Sequence, residues 1–466
     1  MTQARFSAII NVMNNYREKL KSLGLEVPSI LLPQGVDMKK WPVIACDQFT
    51  QDRGYWEKAK ADVSGSPSTL NLIFPEVFLS DDGAAQRIAG IHSNMKRYLD
   101  DGVFAASRQG FIYIERDTPY QKKRRGLVAA VDLEHYDWQP EARPLIRCTE
   151  GTVAERLPPR MDIRRGAPLE LPHVLLLIDD EADEFLPALG GRAKKAAPVY
   201  NTQLMMDSGS VSGWFLEAQD DLAFAAEKLE ELCSRSPDRY GGGKPFLFAV
   251  GDGNHSLAAA KGIWEEYKAA HSADGLPAHP CRYALVEIEN IYDPAIQFEP
   301  IHRVVFDAGF EKTVSILSEL PDFSCRPVNS AEELVRLCVS FKAGPSCANC
   351  FGVISQGRYA LIETSAAGIA TACLQPLLDG YAKDNPHLID YIHDEDEVLR
   401  LTDDGSGNAC AGGACEQRLA AGILLPPVEK SGLFKTVARL GPLPRKSFSM
   451  GHSCEKRFYL ECRGLF

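Results

Sequence analysis

Apolar residues near the start of the chain recur about one helical turn apart. Phe6, Ile9, Ile10, Met13, Tyr16 and Leu20 follow a 3.6-residue period, and Gly24 supplies a stop, which predicts a helix over the first 23 residues. Beyond it the pattern changes repeatedly. Pro28 and Pro33 bracket a loop, and the short apolar run that follows ends in the carboxylate of Asp47. Thr50 or Asp52 can cap a helix through Tyr55 and Trp56. A strand is expected over residues 70–74, and Asp81 or Asp82 is expected to cap a helix reaching Tyr98. Residues 110–115 and 126–133 read as a hairpin joined by a polar run. Residues 160–165, basic and flanked by proline, read as irregular. The run Val174-Leu-Leu-Leu-Ile178 predicts a buried strand, residues 198–206 and 211–217 a further antiparallel pair, and 221–235 a helix.

A buried strand over 245–250 then leads into a helix over 255–267, followed by a strand over 282–289. The later chain predicts a helix at 331–341, a hairpin at 351–363, and helices at 374–382, 396–401 and 428–440. Strands close it at 418–425 and 457–460. Helices and hairpins are mixed, so the expected class is α+β with mixed sheets, not a doubly wound parallel sheet. With 466 residues the chain exceeds one ordinary core. The expected organisation is an N-terminal helix (1–30), a core (31–306) and a C-terminal α+β part (307–466).

Composition narrows the function classes. Hydrophobic residues make up 45% and charged residues 24%, the balance of a folded globular chain. A formal net charge of −12 argues against a nucleic-acid partner held by phosphate contacts. The basic run Lys122–Arg125 is read as a solvated hairpin turn. The N-terminus shows no signal-peptide pattern, and no apolar run approaches the length of a membrane span, so a cytoplasmic protein with no membrane partner is expected. Thirteen scattered cysteines do not form a disulfide framework. Cys347 and Cys350 make the one Cys-x-x-Cys, with Cys410 and Cys415 further on; without a second such pair, unpaired thiols are expected and no protein-built metal site.

The sharpest chemical signal is Val250-Gly251-Asp252-Gly253-Asn254-His255-Ser256-Leu257, where a buried strand runs through two glycines into a helix former. A helix start exposes backbone N–H groups and the positive end of the helix dipole, which favours an anion. Glycine lets backbone approach a phosphate with no Cβ in the way. Asn254, His255 and Ser256 can add side-chain donors. The plain structural alternative is a tight turn in which Asn254 caps the helix and nothing binds.

Here the chain resembles a family, the bacterial and archaeal domain-of-unknown-function family 1015. Gly251–Ser256 stands where that family has Ala-Asp-Gly-His-His-Arg. The stretch from Val43 to Glu76, Arg124–Leu127, Ile146–Thr152, Glu299–Arg303, Tyr391–Asp394 and Pro444–Ser447 match further landmarks in order and spacing. The turn is also similar to the phosphate-binding turn of the ParB, sulfiredoxin and free-serine-kinase group. That resemblance implies a phosphate-binding core with C-terminal embellishments, and bound ATP or ADP with Mg²⁺. It also implies a phosphotransferase acting on a hydroxylated metabolite such as free serine. Gly251, Gly253, Asn254, His255 and Ser256 would hold phosphates. Asp47 and Asp252 would be the catalytic carboxylates, with Glu150, His302, Arg303, His393 and Lys446 towards the substrate. Two departures stand out. Asn254 replaces the family's first His and Ser256 its Arg, which removes a bidentate phosphate clamp. A nucleotide-binding regulator without turnover, or a metal-dependent phosphohydrolase, are the competing expectations.

Overall fold

The computed structural model describes residues 16–466 except 51, 80, 122, 272–275, 345–346, 384, 393–394, 403–405 and 412–413. The class is α+β, with mixed and antiparallel sheets. Two compact units divide the chain: residues 1–296, 433–442 and 451–466 form the first, and residues 297–432 and 443–450 the second.

The first unit is built on a ten-stranded sheet. Its path runs Tyr200–Gln203, Ser210–Leu216, Phe111–Asp117, Arg124–Asp132, Tyr283–Asn290, Leu175–Ile178, Phe248–Asp252, Ile146–Cys148 and Tyr136–Asp137, with Leu25–Glu26 paired to Arg124–Asp132. Most neighbours are antiparallel, but Leu175–Ile178 runs parallel to Tyr283–Asn290, and Ile146–Cys148 runs parallel to both Phe248–Asp252 and Tyr136–Asp137. Both faces are covered, which explains the almost unbroken apolar strands. Alternation sorts them: Phe111 and Tyr113 pack on one side, Ile112 and Ile114 on the other. Each fully buried Leu, Ile or Phe contributes about 1.5–3 kcal/mol over an exposed one. Trp56, Trp264, Phe246 and Phe248 are all core residues, as their positions suggested.

The second unit holds an antiparallel sheet ordered Ser324–Val328, Arg358–Thr364, Asn349–Ser355, Ala414–Leu424, His302–Phe306 and Ile389–Ile392, with Ser406–Ala411 hairpinned onto Ala414–Leu424. Cys347 and Cys350 are free thiols there, Cys350 within a strand.

Several sequence expectations hold. The hairpin forms as Phe111–Asp117 and Arg124–Asp132, and Asp52 caps the helix Arg53–Asp62 by accepting from Tyr55 N at 3.0 Å. Residues 16–22 are helical and end at Gly24, while Phe6, Ile9, Ile10 and Met13 lie outside the described residues.

Others are corrected. Residues 70–74 are not a strand: Ser68 and Thr69 bond the Trp41 carbonyl through their hydroxyls, and a 3₁₀ turn, Thr69–Leu72, replaces the ladder. The helix Ala84–Asp100 is entered through Gly83 in the left-handed region, not through an aspartate cap. Residues 160–165 are not irregular: the helix Leu157–Arg164 starts with prolines in its first turn, where a missing N–H costs nothing. The helix read over 221–235 extends over Gln219–Tyr240. Arg124 and Arg125 are not solvated either; Arg124 is buried against Glu289 at 2.9 Å, and Arg125 pairs with Asp293 and Asp183. The alternation of the hairpin turns Arg124 inward, and Glu289 on the neighbouring strand compensates its charge. Among the described residues no helix is long and apolar enough to cross a membrane.

Candidate functional site

Strand register assembles the site. Phe248–Asp252 lies between Ile146–Cys148 and the antiparallel Leu175–Ile178, with Leu175 opposite Asp252. Residues 173 and 174 therefore pass beside the turn that follows Asp252. Gly253 sits there at φ +82°, and a Cβ on it would lie 3.0 Å from Val174 Cγ2, so the position requires glycine twice over. Gly253 is the helix cap, which corrects the reading of Asn254 as cap; no side chain caps this 17-residue helix, Asn254–Ala270. Its first internal bond runs from Leu257 N to Gly253 O at 3.0 Å. The ladder thus begins after Ser256, and the amides ahead of it point out of the helix start.

The segment after Ile146–Cys148 lines the other side of the turn. Thr149 Oγ1 donates to Val250 O at 2.5 Å, and Val153 N donates to His255 Nε2 at 3.2 Å. Glu150 lies between these two ties. Asn254 Oδ1 and Thr152 Oγ1 are both enclosed without a hydrogen-bond partner. Such orphans are costly unless a bound molecule satisfies them.

His173 links the turn to Asp47. Its Nε2 is 2.8 Å from Ser256 Oγ and 3.9 Å from Asp47 Oδ2, while Nδ1 is 2.9 Å from Tyr459 Oη. The Tyr459 oxygen already accepts from Cys46 N at 3.2 Å, so its own proton is best spent on Nδ1. In the neutral ring this places the hydrogen on Nε2, and in the cationic ring both nitrogens carry one. Either way Nε2 presents a hydrogen towards Ser256 and Asp47, leaving the carboxylate, not the imidazole, as proton acceptor.

A C-terminal segment completes the cluster. Phe458–Tyr459 pairs with Val43–Ile44, just before Asp47, and Ala45 N donates to Arg457 O at 2.8 Å. This carries Lys456 Nζ to 3.3 Å from Asp252 Oδ2, in a side chain almost without exposure. Burial pushes the Asp47 carboxyl up, but His173, the hydrogen bond from Gln48 and the Lys456 charge outweigh it, and the net shift is below the ordinary range. Glu76 moves the other way, raised by burial and by the charge of Asp47 against the pull of Arg160. Two nearby carboxyls pushed in opposite directions are the arrangement that acid–base chemistry uses. Burial, with Asp47 and Glu76 beside it, raises the Cys46 thiol, which keeps it protonated and unsuited as a nucleophile.

A cavity of about 130 Å³ adjoins the cluster, with His173, Ser256, Glu76 and Arg160 among its polar lining and Leu72, Phe74 and Met95 among its apolar walls.

The structure thus brings together Asp47, Glu150, Asp252, Gly253, Asn254, His255 and Ser256, with Gly251 in the strand behind them. It adds His173, Lys456 and Tyr459, which sequence reasoning missed. Only the polar His173 preceding a buried strand gave a signal; Lys456 and Tyr459 arrive through long-range pairing. His302, Arg303 and Lys446 belong to the second unit. There Arg303 is fully buried and donates to Gln375 Oε1 at 3.1 Å and to the Ile301 and Lys446 carbonyls, while His302 Nδ1 accepts from Leu425 N at 3.1 Å. His393 lies outside the described residues.

Against known proteins, the family model "Protein of unknown function (DUF1015)" matches residues 31–381. No curated protein matches. Among solved structures, a free serine kinase mutant in complex with ADP is similar at 9% identity and TM-score 0.37, over 74% of this chain and 94% of that one. A conserved hypothetical protein from Pyrococcus furiosus is similar at 9% identity and TM-score 0.33, over 72% and 90%. SbnI from Staphylococcus aureus, with a C-terminal truncation, is similar at 9% identity and TM-score 0.35, over 71% and 85%.

Proposed function

The chain belongs to the DUF1015 family, and on that footing we propose that it is a nucleotide-dependent phosphotransferase acting on the hydroxyl of a small metabolite. The observation that carries this reading is one juxtaposition: a helix start with no side-chain cap, opened by left-handed Gly253, beside an ionised Asp47 reached through His173 and Ser256. The amides of Asn254–Ser256 take the phosphates of ATP or ADP, a role suited to donors fixed before the reaction. The acceptor hydroxyl lies near His173, and its proton passes to Asp47 as its oxygen bonds to the terminal phosphorus. The bridging P–O bond breaks and the shortened nucleotide leaves with the electron pair.

The orphaned Asn254 and Thr152 atoms fit a polar guest at this turn. A protein-built metal cage does not fit: among the described residues no group of three or more His, Cys, Asp or Glu side chains is arranged to hold a metal ion, and Asp252 is engaged by Lys456. Any Mg²⁺ therefore enters on the nucleotide phosphates, and no step above relies on it.

The test is product analysis after incubation with ATP, ADP or CTP and a panel of hydroxylated acceptors. A phosphorylated acceptor is expected; inorganic phosphate without acceptor modification would indicate a phosphohydrolase instead. Ser256 in place of the arginine clamp favours a second reading, a nucleotide-binding regulator, which binding without any product would establish.

A further inference from the structure

The cavity beside the turn is poorly matched to serine. Leu72, Phe74, Met95, Leu169 and Leu465 wall it, none more than 4% exposed. Its polar lining includes His173, Ser256 and two ion pairs, Glu76–Arg160 and the buried Glu170–Arg164. At about 130 Å³ it compares with an engineered Leu/Ile/Phe-lined cavity of about 150 Å³ that accepts benzene. Serine offers one apolar carbon, so it could reach the polar groups but would leave the aliphatic walls unfilled.

We propose that the acceptor is a hydroxy acid with an apolar side chain about the size of a benzene ring. The side chain fills the cavity, the carboxylate takes the Arg160 guanidinium, and the hydroxyl lies against His173. This assignment rests on the phosphotransferase reading of the same site. It places the reacting oxygen on the side of Asp47, which faces His173 Nε2 at 3.9 Å. A nucleobase in the cavity would bring its ribose there instead, with no terminal phosphorus in reach of an acceptor. The hydroxyl oxygen forms the new bond to phosphorus, the bond from that phosphorus to its bridging oxygen breaks, and the proton goes to the Asp47 carboxylate.

The experiment uses the intact protein and three acceptors: phenyllactate, lactate and serine. Calorimetric titration of phenyllactate without nucleotide reads the cavity alone, and titration of ATP reads the turn alone. With both bound, phosphoryl transfer to phenyllactate is expected to exceed transfer to lactate by about tenfold or more in kcat/KM, a ratio typical of one well-filled apolar pocket. Ala167→Leu, which adds bulk to the cavity wall outside the turn, is expected to weaken phenyllactate about tenfold while ATP affinity stays within about twofold. Preference for serine or lactate, equal binding of all three, or displacement of phenyllactate by adenosine would overturn the proposal. ATP binding with no phenyllactate binding would overturn it and leave the turn intact. Phenyllactate binding without ATP binding would retain the cavity and remove the phosphotransferase reading.

Discussion

Two regions build this site by opposite routes. The strand–turn–helix Phe248–Ala270 is local: twenty-odd consecutive residues contain the strand, the glycine and the helix start. The C-terminal segment 451–466 is distant: it is laid back through the first unit, pairing with Val43–Ile44 and with Leu169–Glu170, and bridging Leu31 through Cys462. Its charges are buried. Arg457 pairs with Glu287 and with Glu461 at 2.5 Å, Arg463 pairs with Glu170 at 2.5 Å, and Arg116 donates to Cys454 O at 2.8 Å. The turn supplies the proposed anion site; the segment supplies Lys456, whose charge adds to that of His173 in keeping Asp47 ionised, and Tyr459, which bonds His173 Nδ1. A phosphate turn can therefore be local while the groups that tune its chemistry are not.

Breaking the distant route should cost most. Arg457→Ala leaves Glu287 and Glu461 buried without their cation, and a loss of about 3–5 kcal/mol in urea unfolding is expected. A loss below about 1 kcal/mol, the range of exposed pairs, would show the segment to be decoration. Asp47→Asn probes the point where both routes meet. It is expected to lower phosphotransfer by about 10²–10⁴-fold with nucleotide affinity nearly unchanged. Breaking the local route costs less. Gly253→Ala forces a Cβ into the left-handed region beside Val174, and about 1–2 kcal/mol of stability is expected to be lost in urea unfolding.

The smallest effect is on pH dependence. The folded pKa of Asp47 is depressed, so its stabilising contribution is full above its unfolded value of about 3.9 and is lost as pH falls through the folded value. Thermal melts of wild type and Asp47→Asn should therefore begin to converge below about pH 4 and meet only once the pH has fallen past the folded value. Glu76, raised, has the opposite sign: its charged form is penalised when folded, and acid relieves that penalty.

The same contrast decides what the sequence could disclose. The hairpin around residues 111–132, the strand Leu175–Ile178 and the turn at Gly253 were legible because their signals are local: alternation, an apolar run, glycine before a helix former. Residues 70–74 misled because the hydroxyls of Ser68 and Thr69 bond to distant Trp41 backbone. Arg124 misled because its partner, Glu289, lies far along the chain on another strand. His173 became a site residue only once the register with Asp252 was known. Nothing in the residues around Lys456 points to Asp252, on a strand much earlier in the chain.

Everything mechanistic depends on the turn being an anion site, and calorimetric titration of ATP and ADP into the intact protein and into His255→Ala probes that alone. Saturable binding is expected for the wild-type chain, weakened about tenfold or more by the substitution, with the melting temperature nearly unchanged. Absence of binding to the wild-type chain would refute it; equal affinities with a markedly lower melting temperature in the variant would leave the amides as the site and His255 as a packing residue tied to Val153.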